Sequence, residues 1–280
     1  MTMRRATAKS SGWNMSLRAS VLLWVLFIPT ALFAGVNFDG VNSPGSGDDV
    51  LACGSDASVD NQEPFTIAAW IYPESTGEGS IGRIWCKQNT GETGYACFYM
   101  HNQTNPRIRF DKDYSPTSDL IVISANDSVV FNTWQAVLMT WDGSATATNV
   151  HLYANGTETS YATQTNGDNT KVSDAANAIY IGNRQGADRT FDGVITEVAF
   201  WDKVLDAQEI AQYALSRVKG MALQIAPANL IGYWPLWECG NAATCSGTFR
   251  NMSPNDNANL ADCTPSNSPT GVAEAVLSVP

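Results

Sequence analysis

The sequence predicts an all-β chain, an antiparallel sandwich of jelly-roll type with one short surface helix near residues 206–217. Three observations lead there. Short apolar runs, divided by turn residues, repeat from Gly35 to near residue 205. Several of these runs, Val194–Trp201 above all, are apolar at both odd and even positions, as in strands covered on both faces. Helical segments do not alternate with them, which argues against parallel β-α-β winding.

Taken in order, Val36–Phe38 and Val50–Cys53 are strands around a loop rich in Gly, Ser and Asp. Phe65–Tyr72 is apolar on both faces and stops at Pro73, as a central strand should. Ile81–Cys86 and Tyr95–Met100 form a hairpin about the polar turn Gln88–Gly94, followed by strands at Arg107–Phe110 and Leu120–Ser124. Trp134–Trp141 is again two-sided and ends at Asp142–Gly143; Val150–Ala154 then meets the tight turn Asn155–Gly156. Residues 163–177 read as polar loop. In the strand Val194–Trp201, strict alternation puts Val194, Val198 and Phe200 on one face and Ile195, Ala199 and Trp201 on the other. Helical period follows. Asp206 and Glu209 make a capping pair, Ile210, Tyr213 and Ala214 form the buried stripe, and Gly220 lies past the end. A last strand is expected at Leu230–Trp237. Residues 35–238 read as one domain, and 239–280 as a Cys-containing extension partly packed on it.

Residues 1–34 stand apart. Arg4, Arg5, Lys9 and Arg18 precede the apolar run Val21–Ile28, and small residues follow, the order of a secretory signal cleaved after Ala34. The alternative, an uncleaved anchor, has an apolar run short of the ~20 residues of a span. Without this segment 12 Lys+Arg face 27 Asp+Glu, a formal charge of −15. Such a surface repels nucleic acid and anionic membranes, so neither is an expected partner. Six cysteines in an exported chain point to disulfides. Cys86 and Cys97 fall opposite each other across the first hairpin, Cys239 and Cys245 bracket a short loop, and Cys53 and Cys263 are left to pair or stay free. Zinc is disfavoured, because there is no Cys-x-x-Cys spacing and only two histidines.

Four stretches together resemble a known family: FTIAAWIYP at 65–73, WQAVLMTWDGS with VHLYANG at 134–156, YIGNRQGADRTFDGVITEVAFWDKVLDAQEI at 180–210, and LIGYWPLWE at 230–238. In this order they are similar to the laminin-G-like, concanavalin A-like jelly rolls, in their pentraxin-related branch. The resemblance implies two curved antiparallel sheets with rim loops used for ligands or calcium. It places metal ligands in the first hairpin loop and the loop after Ile181, where Asn89, Asn183, Gln185 and Asp188 could supply oxygens. Arg184 sits among them and opposes a divalent cation, by ~4 kcal/mol per unit-charge pair at 4 Å and intermediate dielectric.

Trp85, Tyr95, Tyr99 and Tyr114 are the candidate stacking residues for a sugar, with inward packing as the alternative. Glycosidase chemistry needs two carboxylates ~5–9.5 Å apart. Strict alternation sends Asp192 and Glu197 to opposite faces, so that pair is rejected, and Glu197 is expected to make structural hydrogen bonds. His101 and His151 belong to no nucleophile motif. The resulting expectation is a secreted or cell-surface recognition module, not an enzyme, whose rim binds carbohydrate or an extracellular protein. The alternatives are an assembly component of an envelope or particle and, less favoured, an enzyme acting on polysaccharide.

Overall fold

The computed structural model describes residues 32–40, 49–168, 170–240, 244–255, 262–267 and 269–276. The first strands are β1 (Leu32–Asp39), β2 (Val50–Ala52), β3 (Phe65–Pro73), β4 (Arg83–Lys87), β5 (Ala96–His101) and β6 (Arg107–Lys112). Next come β7 (Tyr114–Ser115), β8 (Leu120–Ser124), β9 (Gln135–Trp141), β10 (Val150–Ala154), β11 (Thr157–Glu158) and β12 (Tyr161–Thr165). The chain ends with β13 (Thr170–Lys171), β14 (Ile179–Ile181), β15 (Asp192–Trp201), α1 (Ala207–Ser216), β16 (Leu230–Trp234), β17 (Thr264–Ser266) and β18 (Thr270–Val276).

These strands build two large sheets and one small ladder. The first sheet runs β11-β10-β9-β3-β15-β1-β18, with β16 also on β15; the second runs β12-β8-β6-β5-β4-β14-β2-β17. The small ladder joins β13 to β7. Every ladder is antiparallel, as the two-sided strands predict. The facing sides meet in one core in which Phe65 stands edge-on to Phe110, Trp141 and Phe200. A second core lies outside the first sheet, where Trp70, Leu138 and Trp201 pack with Ile210 and Tyr213 of α1. That helix covers β9 and explains why the central strands are apolar on both faces.

The capping pair forms as predicted. Asp206 accepts from the Gln208 and Glu209 amides at 2.9 Å each, and Glu209 accepts from the Asp206 amide at 2.8 Å. Three expectations are corrected. In β15 the register shifts between Thr196 and Ala199, and Glu197 takes φ +55. This bulge sends Ile195, Val198 and Phe200 inward and Val194, Ala199 and Trp201 under the helix, so the strict alternation fails at one inserted residue. Residues 163–177 are not all loop, since β12 and β13 lie within or across them. The strand expected at Leu230–Trp237 is β16, followed by β17 and β18, and it stops at Trp234, because Pro235 has no amide to extend the ladder.

At the ends of the chain, β1 pairs with both β15 and β18, while β17 adds to the edge of β2. The strand begins at Leu32, upstream of the expected cleavage after Ala34, and the Ala34 carbonyl accepts from Thr196 Oγ1 at 2.7 Å. Residues 1–31, the rest of the expected signal, lie outside the described residues. Disulfides join Cys86 to Cys97 and Cys239 to Cys245, and the remaining Cys53 to Cys263. Such bonds persist in oxidising compartments. Among the described residues no helix is long and apolar enough to cross a membrane.

Candidate functional site

The rim and the outer face of the second sheet meet at the first hairpin. Cys86 and Cys97 are register partners, so their disulfide closes the base of the loop 88–94. The neighbouring loop leaves β14 through Gly182, whose φ is +78 and where a Cβ would meet the Phe38 ring at 2.0 Å. Only glycine fits that turn. Next, Asn183 fastens the loop with its full hydrogen-bonding capacity. Its Nδ2 donates to Thr190 Oγ1 (2.7 Å) and the Asp49 carbonyl (3.1 Å), while its Oδ1 accepts from the Arg184 (2.8 Å) and Arg189 (3.0 Å) amides.

The expected calcium ligands are brought together, but in another role. Arg184 grips Asp188 through Nε (2.5 Å) and Nη2 (2.8 Å), and its Nη1 reaches Glu92 across the rim. Gln185 Oε1 accepts from the Thr90 amide at 3.1 Å, and Asn89 Oδ1 accepts from the Gly91 amide at 3.0 Å. The Arg184 hydrogen bonds hold the Asp188 carboxyl below its usual range. A guanidinium therefore occupies the Asp188 carboxylate, and the Asn89, Asn183 and Gln185 oxygens already accept hydrogen bonds. The residues do not fit calcium, and among the described residues no cluster of three or more acidic, His or Cys side chains could hold a metal.

Of the four candidate stacking aromatics, three are packed away. Trp85 lies in the inter-sheet core against Phe65 and Phe200, because the register shift within β4 turns it inward. Tyr114 is also in that core. Tyr99 does face outward, yet Arg83 lies 3.9 Å above its ring and covers it. Tyr95 is partly buried against the Cys86–Cys97 disulfide, with its hydroxyl on Asp119 at 2.7 Å.

The outer face of the second sheet carries groups that the sequence reading passed over. In β6, Ile108, Phe110 and Lys112 turn inward while Arg107, Arg109 and Asp111 face out. Arg109 holds Asp111 through two nitrogens at 2.7 Å, and the Tyr99 hydroxyl donates to the same carboxylate at 2.5 Å. Alternation of charged and apolar residues in RIRFDK was the available signal. Lys87 and Lys112, by contrast, point into the interior and share Asp174, at 2.7 and 3.3 Å. Burial pushes the Asp174 carboxyl up, but the two ammonium groups and the Asn61 amide hold it below its usual range.

Glu197 is buried beneath α1. It accepts from the Trp237 indole (2.6 Å), the Tyr233 hydroxyl (2.7 Å) and the Gly220 amide (3.0 Å). Burial drives its pKa up to about 7 against these three donors. The bulge places Asp192 and Glu197 on one face, contrary to the expectation from strict alternation. Five residues of strand still separate them by roughly 16 Å, beyond glycosidase spacing.

The family profile described as the concanavalin A-like lectin/glucanases superfamily matches residues 44–211, more than half of the chain. No curated protein matches the sequence. Among solved structures, a candidate carbohydrate-binding protein of Bacteroides ovatus is 16% identical with a TM-score of 0.55, over 90% of this chain and 62% of that one. This chain thus spans less than two thirds of that protein. A heptameric SAP-like pentraxin of Limulus polyphemus is 13% identical (TM-score 0.47; 65% of this chain, 82% of that one). A sialidase CBM40 domain of Ruminococcus gnavus is 16% identical (TM-score 0.43; 59% and 93%). The profile match, the antiparallel sandwich and the capped helix α1 agree: the chain belongs to the laminin-G-like group of the concanavalin A-like lectin/glucanases superfamily.

Proposed function

We propose that the chain is a secreted or cell-surface module that recognises carbohydrate without turning it over, through the rim loops and the adjoining outer face of the second sheet. One observation carries this reading. Of the two outer faces, α1 and a second core cover the first, while the second presents Tyr99, Arg109 and Asp111. Polar and aromatic groups stand there beside a rim already locked by Arg184. A preformed surface with a few placed polar groups suits saccharide recognition. The carbohydrate-binding description of the Bacteroides ovatus protein supports the same class of ligand. The Glu197 carboxyl, buried and engaged by three protein donors, supports the non-catalytic part of this reading.

A glycan array run with and without calcium tests the reading. Specific hits that persist in chelator are expected. A blank array together with concentration-dependent multimers would instead favour an assembly role, and binding lost on chelation would contradict the metal-free rim.

A further inference from the structure

On the outer face of β4, β5 and β6, donor groups fill two neighbouring rungs. Arg83, Tyr99 and Arg109 pair across one rung, and His101 and Arg107 across the next. Three guanidinium groups thus share the patch with the carboxylate of Asp111. Arg109 and Asp111 neutralise each other through their double contact. Arg83 and Arg107 are left over.

Arg83 is only 8% exposed. Its Nη1 reaches the Ile81 carbonyl at a long 3.4 Å, and its Nε is buried without a partner. Among the described residues it makes no ion pair. Arg107 contacts Asn126 through Nη2, but its Nε is also buried and unpartnered, as is His101 Nδ1. Three of the ten buried side-chain polar atoms left without a partner among the described residues therefore fall in this one patch. Such groups are rare and unfavourable, and their concentration in one place asks for a ligand. The charge runs the same way, since unpaired cations gather here in a chain of net charge −11. Burial lowers the pKa of Arg83; burial with the charges of Arg109 and Arg107 lowers that of His101.

We infer that this patch binds the acidic group of a saccharide, a carboxylate or a sulfate ester, with Arg83 and Arg107 as the cations that receive it. The inference rests on the carbohydrate reading above and adds the charge of the sugar. Strands ~4.8 Å apart and rungs ~7 Å apart give the patch the footprint of a short oligosaccharide. Charge-assisted pairing with guanidinium supplies the affinity that neutral sugars lack here. Tyr99 beneath Arg83, and Asp111 beside Arg109, hold the donors in place.

Titration calorimetry on the whole protein tests this with an oligogalacturonate, the same oligomer with its carboxyls methyl-esterified, a chondroitin sulfate oligosaccharide and sodium sulfate. The acid or the sulfated sugar is expected to bind at least ~10-fold tighter than the ester, with affinity falling as salt rises. Removing the sulfates from the chondroitin oligomer, which leaves its uronate carboxylates in place, identifies the source of the charge: lost binding assigns it to the sulfate ester, retained binding to the carboxylate. R83Q is expected to weaken the acidic sugar by ~10–100-fold and leave the ester unchanged. Should R83Q fail to fold, R107Q at the less buried neighbour carries the same expectation. Equal binding of acid and ester, or unchanged acidic binding in both variants, overturns the inference and leaves the carbohydrate reading standing. Sodium sulfate bound as tightly as either acidic sugar also overturns it, because the site would then read a free anion. Failure of every saccharide, acidic or neutral, overturns both.

Discussion

The two outer faces of the sandwich handle buried charge in opposite ways. On the first sheet Glu197 is enclosed by α1 and the segment after it, and three donors meet its carboxylate. On the second sheet Arg83 is almost as enclosed, yet its Nε meets nothing. Burial alone does not separate a structural charge from a working one; satisfaction does. The first face has become a second core, while the second still has hydrogen bonds to make.

The largest expected effect breaks the closed face. E197A would leave the Trp237 indole, the Tyr233 hydroxyl and the Gly220 amide without an acceptor, at ~1–3 kcal/mol for each buried group. Urea denaturation should show a loss of ~3 kcal/mol or more; a loss under ~1 kcal/mol would mean that the enclosure is not structural. The pH dependence has a definite sign. Folding raises the Glu197 pKa from 4.5 to about 7, so this group's contribution is full below 4.5 and is lost as pH rises through about 7. E197Q should flatten the stability profile across that window, whatever it does to the absolute value.

At the rim the effect is intermediate. R184Q removes the link between Glu92 and Asp188, worth ~1–2 kcal/mol for a partly buried bidentate pair. Amide exchange should quicken in 88–94 and 183–190 and stay unchanged in β3 and β9. Chelator should leave the wild-type melting temperature where it is, and a drop would show that a metal shares the latch.

The smallest effect is the sharpest contrast. In the absence of ligand, R83M should be neutral or slightly stabilising, within ~1 kcal/mol, since replacing a poorly paired buried charge by an apolar side chain is often favourable. A loss as large as that of E197A would erase the distinction between the faces.

Much of the fold was legible. The two-sided pattern of Phe65–Tyr72 and Trp134–Trp141 reported a layer on each side, and Asp206 with Glu209 marked the helix start to the residue. Cys86 and Cys97 could be paired because hairpin register is local. The bulge at Glu197 was not legible, since its inserted residue is itself fixed by Tyr213, Tyr233 and Trp237 from distant segments. The site was read less well. Trp85 and Tyr114 looked like sugar platforms by type, but the register shift in β4 turns Trp85 inward and Tyr114 packs in the same inter-sheet core. Asn183 and Asp188 lie in one loop of the sequence, while their partners, Thr190 and Arg184, could only be identified in three dimensions. The arginines of RIRFDK belong to no sequence motif, and only the pairing of β4, β5 and β6 gathers them with Arg83 and Tyr99.

The first strand has a long wait. Val36 pairs with Ile195 and Gly35 with Val272, and Cys53 must find Cys263, 210 residues later. At ribosomal speeds of ~5–20 residues per second, about 8 to 30 s pass before the first of these partners even exists. During synthesis the opening ribbon therefore remains an apolar, unpaired segment, available to translocation machinery or a holding chaperone. Loss of the final strand would leave one of its edges permanently bare, an invitation to aggregate.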